Sequence, residues 1–245
     1  MAFAVVTRDV ASAAAYAAAL APLGLETVAM PVTKTAAAAD PEALRRALET
    51  DYAAIVVASP RAAHELGRAA AGRELPEVWA VGPATQRALG IAQIAAQHPD
   101  GAFDSGELAR RLVAARGLAG QRVLVLRAEE GRTEAVDVLR AGGAEVVDVI
   151  AYRTVAVDAG EPQLVRGKEL LETGRAAVCA LFAPSQVSAL AALVGPLTAI
   201  ATHYAAIGDT TAAALRSTGV AEVAIARTPT PEGIARAVAA VYPPR

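Results

Sequence analysis

One ten-residue motif occurs twice in the chain and indicates how the protein folds. Residues 80–89 read AVGPATQRAL, and residues 206–215 read AIGDTTAAAL. Two further pairs precede these copies in the same order: Ala58–Arg61 with Phe182–Ser185, and Val5–Arg8 with Val125–Arg127. Three pairs in one order indicate a duplicated unit of about half the chain. A unit of that length fits one α/β domain, so we expect two similar domains with a cleft between them.

The composition fits two domains of ordinary size. The chain has 245 residues, of which 54% are hydrophobic and 20% charged, and this is enough for two hydrophobic cores. The formal net charge of −2 gives no bulk attraction to nucleic acid or to an anionic membrane. The single cysteine, Cys179, excludes a disulfide within the chain. With no leader and no apolar run that spans a bilayer, we expect a cytoplasmic protein.

Short apolar segments alternate with amphipathic ones in both halves of the chain. Segments such as Phe3–Thr7, Ala53–Ala58 and Ala177–Phe182 are typical of buried strands, and each is followed by a helical pattern. Continuous apolar strands between helices predict parallel sheets covered on both faces. The predicted fold class is therefore α/β, with two doubly wound parallel-sheet domains that arose by internal duplication. The segments Thr33–Asp40 and Thr154–Glu161 are predicted to be linkers.

The repeated motifs lie where ligands bind in open parallel sheets, beyond the carboxyl ends of the strands. Ser59-Pro60 follows a strand and begins a helix, as do Gly82–Thr85 and Gly208–Thr211. Such a helix start exposes backbone N–H groups at the positive end of the helix dipole, which accepts anions. Several of them facing one cleft would bind a polyanion without a basic surface. Every doubly wound fold also has helix starts there, so an anion site and a purely structural role both stay open.

The usual catalytic motifs are missing from the sequence. No G-x-G-x-x-G follows the first strand, and neither a P-loop nor a G-x-S-x-G segment occurs. His64, His98 and His203 are scattered without the spacing of metal ligands. Cys179 lies in an apolar strand, which favours a place in the core. If the protein is an enzyme, we therefore expect it to work without the usual catalytic machinery.

Tyr152 breaks the symmetry of the duplication. It stands 119 residues after Thr33, at the corresponding strand end, and only the second copy has a phenol there. A tyrosine in this position can simply pack against the core. A phenol is also a neutral proton donor at pH 7 that can assist a leaving oxygen. Packing and catalysis therefore remain as alternatives for Tyr152.

In their order and spacing these motifs resemble the uroporphyrinogen-III synthase family over the whole chain, although no single motif is specific. The resemblance rests on Ser59–Ala62, Val81–Thr85, Gly143–Thr154, Phe182 with Pro184-Ser185, Ile207-Gly208 with Thr210-Thr211, and Thr228–Gly233. It implies two α/β domains joined by two crossing strands. Residues 1–33 and 157–245 would form one domain and residues 38–152 the other, with interdomain linkers at 34–37 and 153–156. The repeats alone suggest a cut at mid-chain instead.

The resemblance also implies a reaction. Uroporphyrinogen-III synthases are lyases that cyclise hydroxymethylbilane to uroporphyrinogen III, with loss of water and inversion of the terminal pyrrole ring. The linear tetrapyrrole substrate carries eight carboxylates, and the family needs no cofactor or metal. We therefore expect a monomer of porphyrin and heme biosynthesis, with transient contact to hydroxymethylbilane synthase and with no nucleic-acid or membrane partner.

The site residues are carried over from the family position by position. Tyr152 matches the tyrosine proposed to help the hydroxyl group leave. Residues that match substrate-binding positions are Ser59, Arg61, Gly82, Thr85, Ser185, Gly208, Thr210 and Thr211. Two residues depart from the family pattern: Ala183 stands where serine is frequent, and Asp209 stands where an uncharged residue is usual. These departures support the alternative hypothesis, a non-catalytic tetrapyrrole- or anion-binding sensor protein of the same fold.

Overall fold

The computed structural model describes residues 2–102 and 104–242 of the chain. Its contacts divide the chain into two compact units. The unit that we call discontinuous comprises the described residues up to Lys34 and from Val155 onward. The unit that we call continuous comprises the described residues from Thr35 to Thr154.

The regular elements alternate along the chain as the sequence predicts. The strands are β1 (Ala2–Val6), β2 (Leu25–Ala29), β3 (Thr33–Ala37), β4 (Ala54–Val57), β5 (Glu77–Ala80), β6 (Ala96–Gln97), β7 (Arg122–Ala128), β8 (Glu145–Ala156), β9 (Ala176–Leu181), β10 (His203–Ala206) and β11 (Val223–Ile225). The helices are α1 (Val10–Leu20), α2 (Ala43–Ala47), α3 (Pro60–Ala69), α4 (Gly82–Ile91), α5 (Ser105–Arg116), α6 (Glu134–Ala141), α7 (Pro162–Glu172), α8 (Pro184–Val194), α9 (Asp209–Ser217) and α10 (Pro231–Val241).

Both units contain a sheet with the same strand order. The order is β11-β10-β9-β1-β2 in the discontinuous unit and β6-β5-β4-β7-β8 in the continuous one, where β3 is added beyond β8. The pairs within these two five-strand series are parallel. Strands β1 and β2 correspond to β7 and β8 in the duplication, and β9–β11 correspond to β4–β6. Each five-strand series therefore takes two strands from one repeat and three from the other, and the predicted duplicated α/β fold class is confirmed.

The sheet of the discontinuous unit is covered on both faces. Successive side chains of a strand point to opposite faces, and here both sets are apolar and buried. Along β1, Phe3 and Val5 belong to one buried cluster, to which α7, α8 and α9 contribute. Ala4 and Val6 belong to a second cluster, which α1 and α10 cover. Cys179 is fully buried in the first cluster, as predicted, and burial raises the pKa of its thiol to about 12.

The continuous unit is built in the same way. Along β4, Ile55 and Val57 face a cluster formed with α2, α3 and α4. Ala54 and Val56 face the opposite cluster, to which α5 and α6 contribute. Parallel strands buried on both faces explain why β4 is apolar at all four of these positions.

The two segments predicted as linkers contain regular structure. Residues 33–37 form β3, and β8 runs on through Ala156, so the division between the units falls inside both strands. The sequence missed β3 because its residues, Thr-Lys-Thr-Ala-Ala, are half-buried or exposed rather than apolar. A polar strand at the edge of a sheet lacks the buried pattern that marks a central strand.

Across residues 2–102 and 104–242, no helix combines the length and the apolar character needed to cross a membrane.

Candidate functional site

Four of the helices that begin beyond the carboxyl ends of strands start at the predicted motifs. In the continuous unit α3 follows β4 and α4 follows β5, and in the discontinuous unit α8 follows β9 and α9 follows β10. The first backbone N–H groups of a helix have no carbonyl partner within that helix. Each predicted binding residue lies at one of these four helix starts, and Tyr152 lies in β8. Each unit thus has its own edge of helix starts.

Ser59 and Tyr152 contact each other in the continuous unit. Their hydroxyl oxygens are 3.2 Å apart, a distance at which either group can donate a hydrogen bond to the other. Ser59 is also the N-cap of α3, where its Oγ accepts a hydrogen bond from the N–H of Ala62 at 3.2 Å. When Ser59 donates its proton to the phenol oxygen, the phenol proton of Tyr152 stays available for an oxygen of a bound molecule. The pair can therefore act as a positioned proton donor.

A β-bulge brings Tyr152 to this position. The pairing of β7 with β8 runs from Arg127 opposite Ile150 directly to Ala128 opposite Tyr152, so that Ala151 is an extra residue in β8. Strict alternation would place Ala151 and Tyr152 on opposite faces of the sheet, yet both pack against the same buried cluster of the continuous unit. Bulges commonly redirect a side chain near a functional site. Tyr152 is half-buried, so its ring packs against the core while its hydroxyl contacts Ser59.

Arg61 begins α3 but is engaged within its own helix. Its Nη2 lies 2.7 Å from a carboxylate oxygen of Glu65, one turn later. Arg61 and Glu65 line a cavity of about 220 Å³ together with Arg45 and Arg68, and Glu42 and Asp40 are also in its wall. Arg45 and Arg68 are likewise within 4 Å of Glu42 and Glu65. Because each arginine has an acidic partner, Arg61 would bind a carboxylate only by exchanging Glu65 for it.

The starts of α4 and α9 are related by the duplication but differ in backbone conformation. Gly82 has φ +77°, the left-handed region that favours glycine. Gly208 is extended at φ 178° and forms the N-cap of α9. The equivalent threonines Thr85 and Thr211 are each only 1% exposed. Both side chains are therefore enclosed by the protein rather than open to solvent.

The start of α9 presents backbone donors and one carboxylate. The N–H of Ala212 donates to the carbonyl of Gly208 at 3.0 Å, which is the first hydrogen bond of the helix. The N–H groups of Asp209, Thr210 and Thr211 therefore precede the intrahelical ladder. Asp209 and Thr210 are both exposed. The carboxylate of Asp209 lies at the positive end of the helix dipole, which it partly neutralises.

Helix α8 lacks a side-chain N-cap hydrogen bond because Ala183 stands where the family often has serine. Ala183 is the N-cap and makes no side-chain cap hydrogen bond, whereas Ser59 caps the equivalent helix α3. Ser185 is half-buried in the first turn of α8. Sequence reasoning missed the group that fixes this turn: Gln186 Oε1 accepts from the N–H of Phe182 at 2.8 Å and lies 2.7 Å from Thr7 Oγ1. Thr7 and Gln186 are 179 residues apart, so no local pattern could pair them.

Within the described residues, no cluster of three or more His, Cys, Asp or Glu side chains could hold a metal ion. What the four helix starts and the Ser59–Tyr152 pair offer is hydrogen-bond donors to an anionic molecule. The structure thus defines a class of protein: a duplicated, doubly wound α/β protein in which the predicted binding residues lie at helix starts of both units.

The comparisons with known proteins identify the family. The family model described as uroporphyrinogen-III synthase HemD matches residues 14–236. The chain is structurally similar to a uroporphyrinogen-III synthetase from Helicobacter pylori, with a TM-score of 0.68, 17% identity, and 98% of this chain and 100% of that chain covered. It is also similar to a mutant uroporphyrinogen III synthase from Thermus thermophilus, with a TM-score of 0.61, 21% identity and 96% of both chains covered. No curated protein matches the sequence significantly.

The chain therefore belongs to the uroporphyrinogen-III synthase family, the cyclising hydro-lyases of heme biosynthesis, which bind a tetrapyrrole substrate. The family and the reaction class that the sequence motifs implied are confirmed. The two structural likenesses show the shared fold. The roles of the individual site residues stay predictions.

Proposed function

We propose that this protein closes the linear tetrapyrrole hydroxymethylbilane to uroporphyrinogen III, with loss of one water and inversion of the terminal pyrrole ring. The observation that carries the proposal, beside the family, is the hydroxyl pair of Ser59 and Tyr152 at 3.2 Å. It supplies a held proton donor where the family reaction needs a leaving hydroxyl group to be assisted. No cofactor takes part in the proposed reaction.

The proposed chemistry begins at the hydroxymethyl group of the substrate. The electron-rich pyrrole expels that hydroxyl: the C–O bond breaks, the oxygen takes the phenol proton of Tyr152, and water leaves. The cation-like azafulvene that remains is attacked by the substituted carbon of the far ring, which forms a C–C bond and a spiro intermediate. In the spiro intermediate the bond between that carbon and its original methylene breaks, and the released methylene rejoins the ring at its free α carbon. This inverts the ring, and loss of the proton from the newly bonded carbon restores aromaticity. Reprotonation of Tyr152 completes the cycle.

Binding rather than chemical activation is the larger task in this proposal. The bilane also closes without an enzyme, but to the wrong isomer, so the protein must hold the chain in one shape. The helix starts near Ser59, Gly82, Ser185 and Gly208 would bind substrate carboxylates through backbone N–H groups. The hydroxyls of Thr210 and the buried threonines Thr85 and Thr211 would support these starts. Arg61 would join them by exchanging Glu65 for a substrate carboxylate.

The cellular setting is part of the proposal. We infer a cytoplasmic monomer that receives its unstable substrate in transient contact with hydroxymethylbilane synthase. Neither nucleic acid nor a membrane is needed for this role.

A coupled assay tests the proposed function. Hydroxymethylbilane is generated by its own synthase, the protein is added, the products are oxidised, and the porphyrin isomers are separated. We expect predominantly isomer III, while a reaction without the protein yields isomer I. Isomer I alone at the uncatalysed rate would contradict the proposal and would favour the sensor hypothesis, with the fold kept for binding.

A further inference from the structure

The duplication places two arginines in equivalent positions with different partners. Arg8 follows β1 as Arg127 stands near the end of β7, 119 residues later. The strands that flank them pair in the same register: Val6 lies opposite Ala29, and 119 residues later Val125 lies opposite Asp148. The position that holds a carboxylate in the continuous unit therefore holds a methyl group in the discontinuous unit.

Arg127 is fully engaged within its own unit. Its Nε lies 2.9 and 3.1 Å from the two carboxylate oxygens of Asp148, and its Nη2 lies 2.8 Å from one of them. Its Nη1 donates to the backbone carbonyls of Ala128, Glu129 and Gly131 at 3.0, 3.2 and 3.1 Å. The side chain is only 12% exposed. This arginine shows that the position binds a carboxylate in bidentate fashion when one is present.

Arg8 has the opposite character. In the described part of the chain no carboxylate lies within 4.0 Å of its guanidinium, and its buried Nε has no hydrogen-bond partner. The adjacent carboxylate of Asp9 is already engaged, since it accepts from the N–H of Ser12 at 2.9 Å and from the hydroxyl of Ser12 at 2.7 Å. A buried donor without a partner is destabilising, and such groups in native structures call for a reason.

Two aromatic rings hold the guanidinium of Arg8 without occupying its donors. Its central carbon lies 4.7 Å from the ring centroid of Phe182 and 5.7 Å from that of Tyr16. The two rings pack edge to face with centroids 4.6 Å apart. Cation–π contacts engage the flat face of a guanidinium and leave its N–H groups in the plane free. The backbone of Phe182 is in turn fixed by its hydrogen bond to Gln186 at 2.8 Å.

We propose that Arg8 binds one carboxylate of the tetrapyrrole. In the discontinuous unit this substrate carboxylate would take the part that the Asp148 carboxylate has beside Arg127 in the continuous unit. The identity of the ligand rests on the proposed function, whereas the carboxylate class rests on the geometry of the equivalent pair. A carboxylate offers two coplanar oxygens that match adjacent N–H donors of a guanidinium. Arg8 therefore adds a charged contact that needs no exchange of an acidic partner, unlike Arg61, whose guanidinium is paired with Glu65.

The proposal is tested with four variants of the full chain. Arg8→Gln removes the charge, and Arg8→Lys keeps it without the paired donors. Ala29→Asp introduces a carboxylate at the register position of Asp148, where we expect it to compete with a ligand for Arg8; Ala29 is half-buried. Arg216→Gln, in the last turn of α9, is the matched control for loss of one positive charge. The measurements are KM and kcat in the coupled assay, calorimetric titration with uroporphyrin III, and the unfolding temperature.

We expect Arg8→Gln to raise KM and the Kd for uroporphyrin III on the order of tenfold to 100-fold, the range for loss of a charged hydrogen bond. The kcat should change little, and Arg8→Lys should be intermediate. Ala29→Asp should weaken binding similarly without lowering the unfolding temperature. Combined with Ala29→Asp, Arg8→Gln should cause no further loss, because the two changes remove the same contact. Arg216→Gln should behave as wild type.

The outcomes separate this inference from the proposed function. Folded Arg8→Gln and Ala29→Asp proteins that both match wild type in KM and Kd would overturn the role of Arg8, even if wild type forms isomer III. Weaker uroporphyrin III binding by both variants would support the binding role of Arg8 even if wild type forms only isomer I. In that case only the proposed catalytic activity would be contradicted. If wild type neither binds uroporphyrin III nor forms isomer III, both proposals fail. If Arg8→Gln does not fold, Ala29→Asp, which retains Arg8, decides the matter.

Discussion

The hydroxyl of Tyr152 lies 3.2 Å from the hydroxyl of Ser59, although 93 residues separate them in the chain. The contact joins the end of β8 to the cap of α3, because one extra residue in β8 turns Tyr152 to the face where α3 packs. A side chain that caps a helix and a side chain that can donate a proton are thereby coupled.

Replacement of Tyr152 by phenylalanine should slow turnover more than it weakens binding. Loss of a general acid typically costs a factor of about 100 to 10,000 in rate, so we expect a drop in kcat of at least about 100-fold with KM within a few-fold. The coupled assay measures both. Tyr52→Phe is the matched control, since Tyr52 donates to the carbonyl of Ala47 at 3.0 Å in the same unit. An unchanged rate for Tyr152→Phe would remove the phenol from the mechanism.

Replacement of Ser59 by alanine should affect both stability and rate. The variant loses the cap hydrogen bond to Ala62, and a lost cap lowers the free energy of unfolding by about 1 kcal/mol. It also frees the phenol of Tyr152, so we expect kcat to fall, but less than in Tyr152→Phe. Ser59→Thr keeps a hydroxyl and should restore most of both losses. Urea unfolding and the coupled assay would show a purely structural role if stability fell while kcat did not.

Removal of the charge of Asp209 should tighten binding of the polycarboxylate product. Its carboxylate lies at the positive end of α9, where it competes with and repels a ligand carboxylate. We expect Asp209→Pro to lower the Kd for uroporphyrin III severalfold at neutral pH, since proline suits the first helical position. Asp209→Asn removes the charge but keeps the backbone N–H, and it serves as the control. No gain in either titration would mean that the carboxylate points away from the ligand.

The cap of α1 should make stability sensitive to acid. Hydrogen bonds from the N–H and the hydroxyl of Ser12 hold the pKa of Asp9 below its ordinary value of 3.8. The contribution is fully present above the unfolded pKa, and it is lost as the pH falls through the lower folded pKa. Urea unfolding at pH values from neutral to about 2 should show this loss in wild type. Asp9→Asn, which still caps but does not titrate, should lose this part of the pH dependence; an identical profile would exclude Asp9 as its source.

Burial should protect the single cysteine from reagents. Cys179 is fully buried in β9, and its pKa of about 12 leaves almost no thiolate at pH 8. We expect a thiol reagent to label the native protein at least about 100-fold more slowly than the urea-unfolded chain. Equal rates would show that the core around β9 opens readily.

Much of this architecture could be predicted, because the motifs at Gly82 and Gly208 recur with their neighbours in order. The contact of Tyr152 with Ser59 could not be predicted, because it depends on the bulge at Ala151. One extra residue in a strand moves the following side chains to the other face of the sheet, and the sequence of apolar residues does not show where that residue is inserted. Strand β3 was missed because its polar residues lie at a sheet edge. The isolation of Arg8 could not be predicted either. The lack of a carboxylate beside Arg8 becomes visible only from the strand register, in which Ala29 is equivalent to Asp148.

The shared strand order of the two units has a consequence for ancestry. The five strands common to both sheets come two from one repeat and three from the other. A primordial polypeptide of a single repeat could therefore complete neither sheet alone, and two copies would have had to exchange segments as a swapped homodimer. Gene fusion would have made that exchange intramolecular and freed the two halves to diverge. The halves now differ at one equivalent position: Asp148 is the counterion of Arg127, whereas Ala29 offers no charge to Arg8.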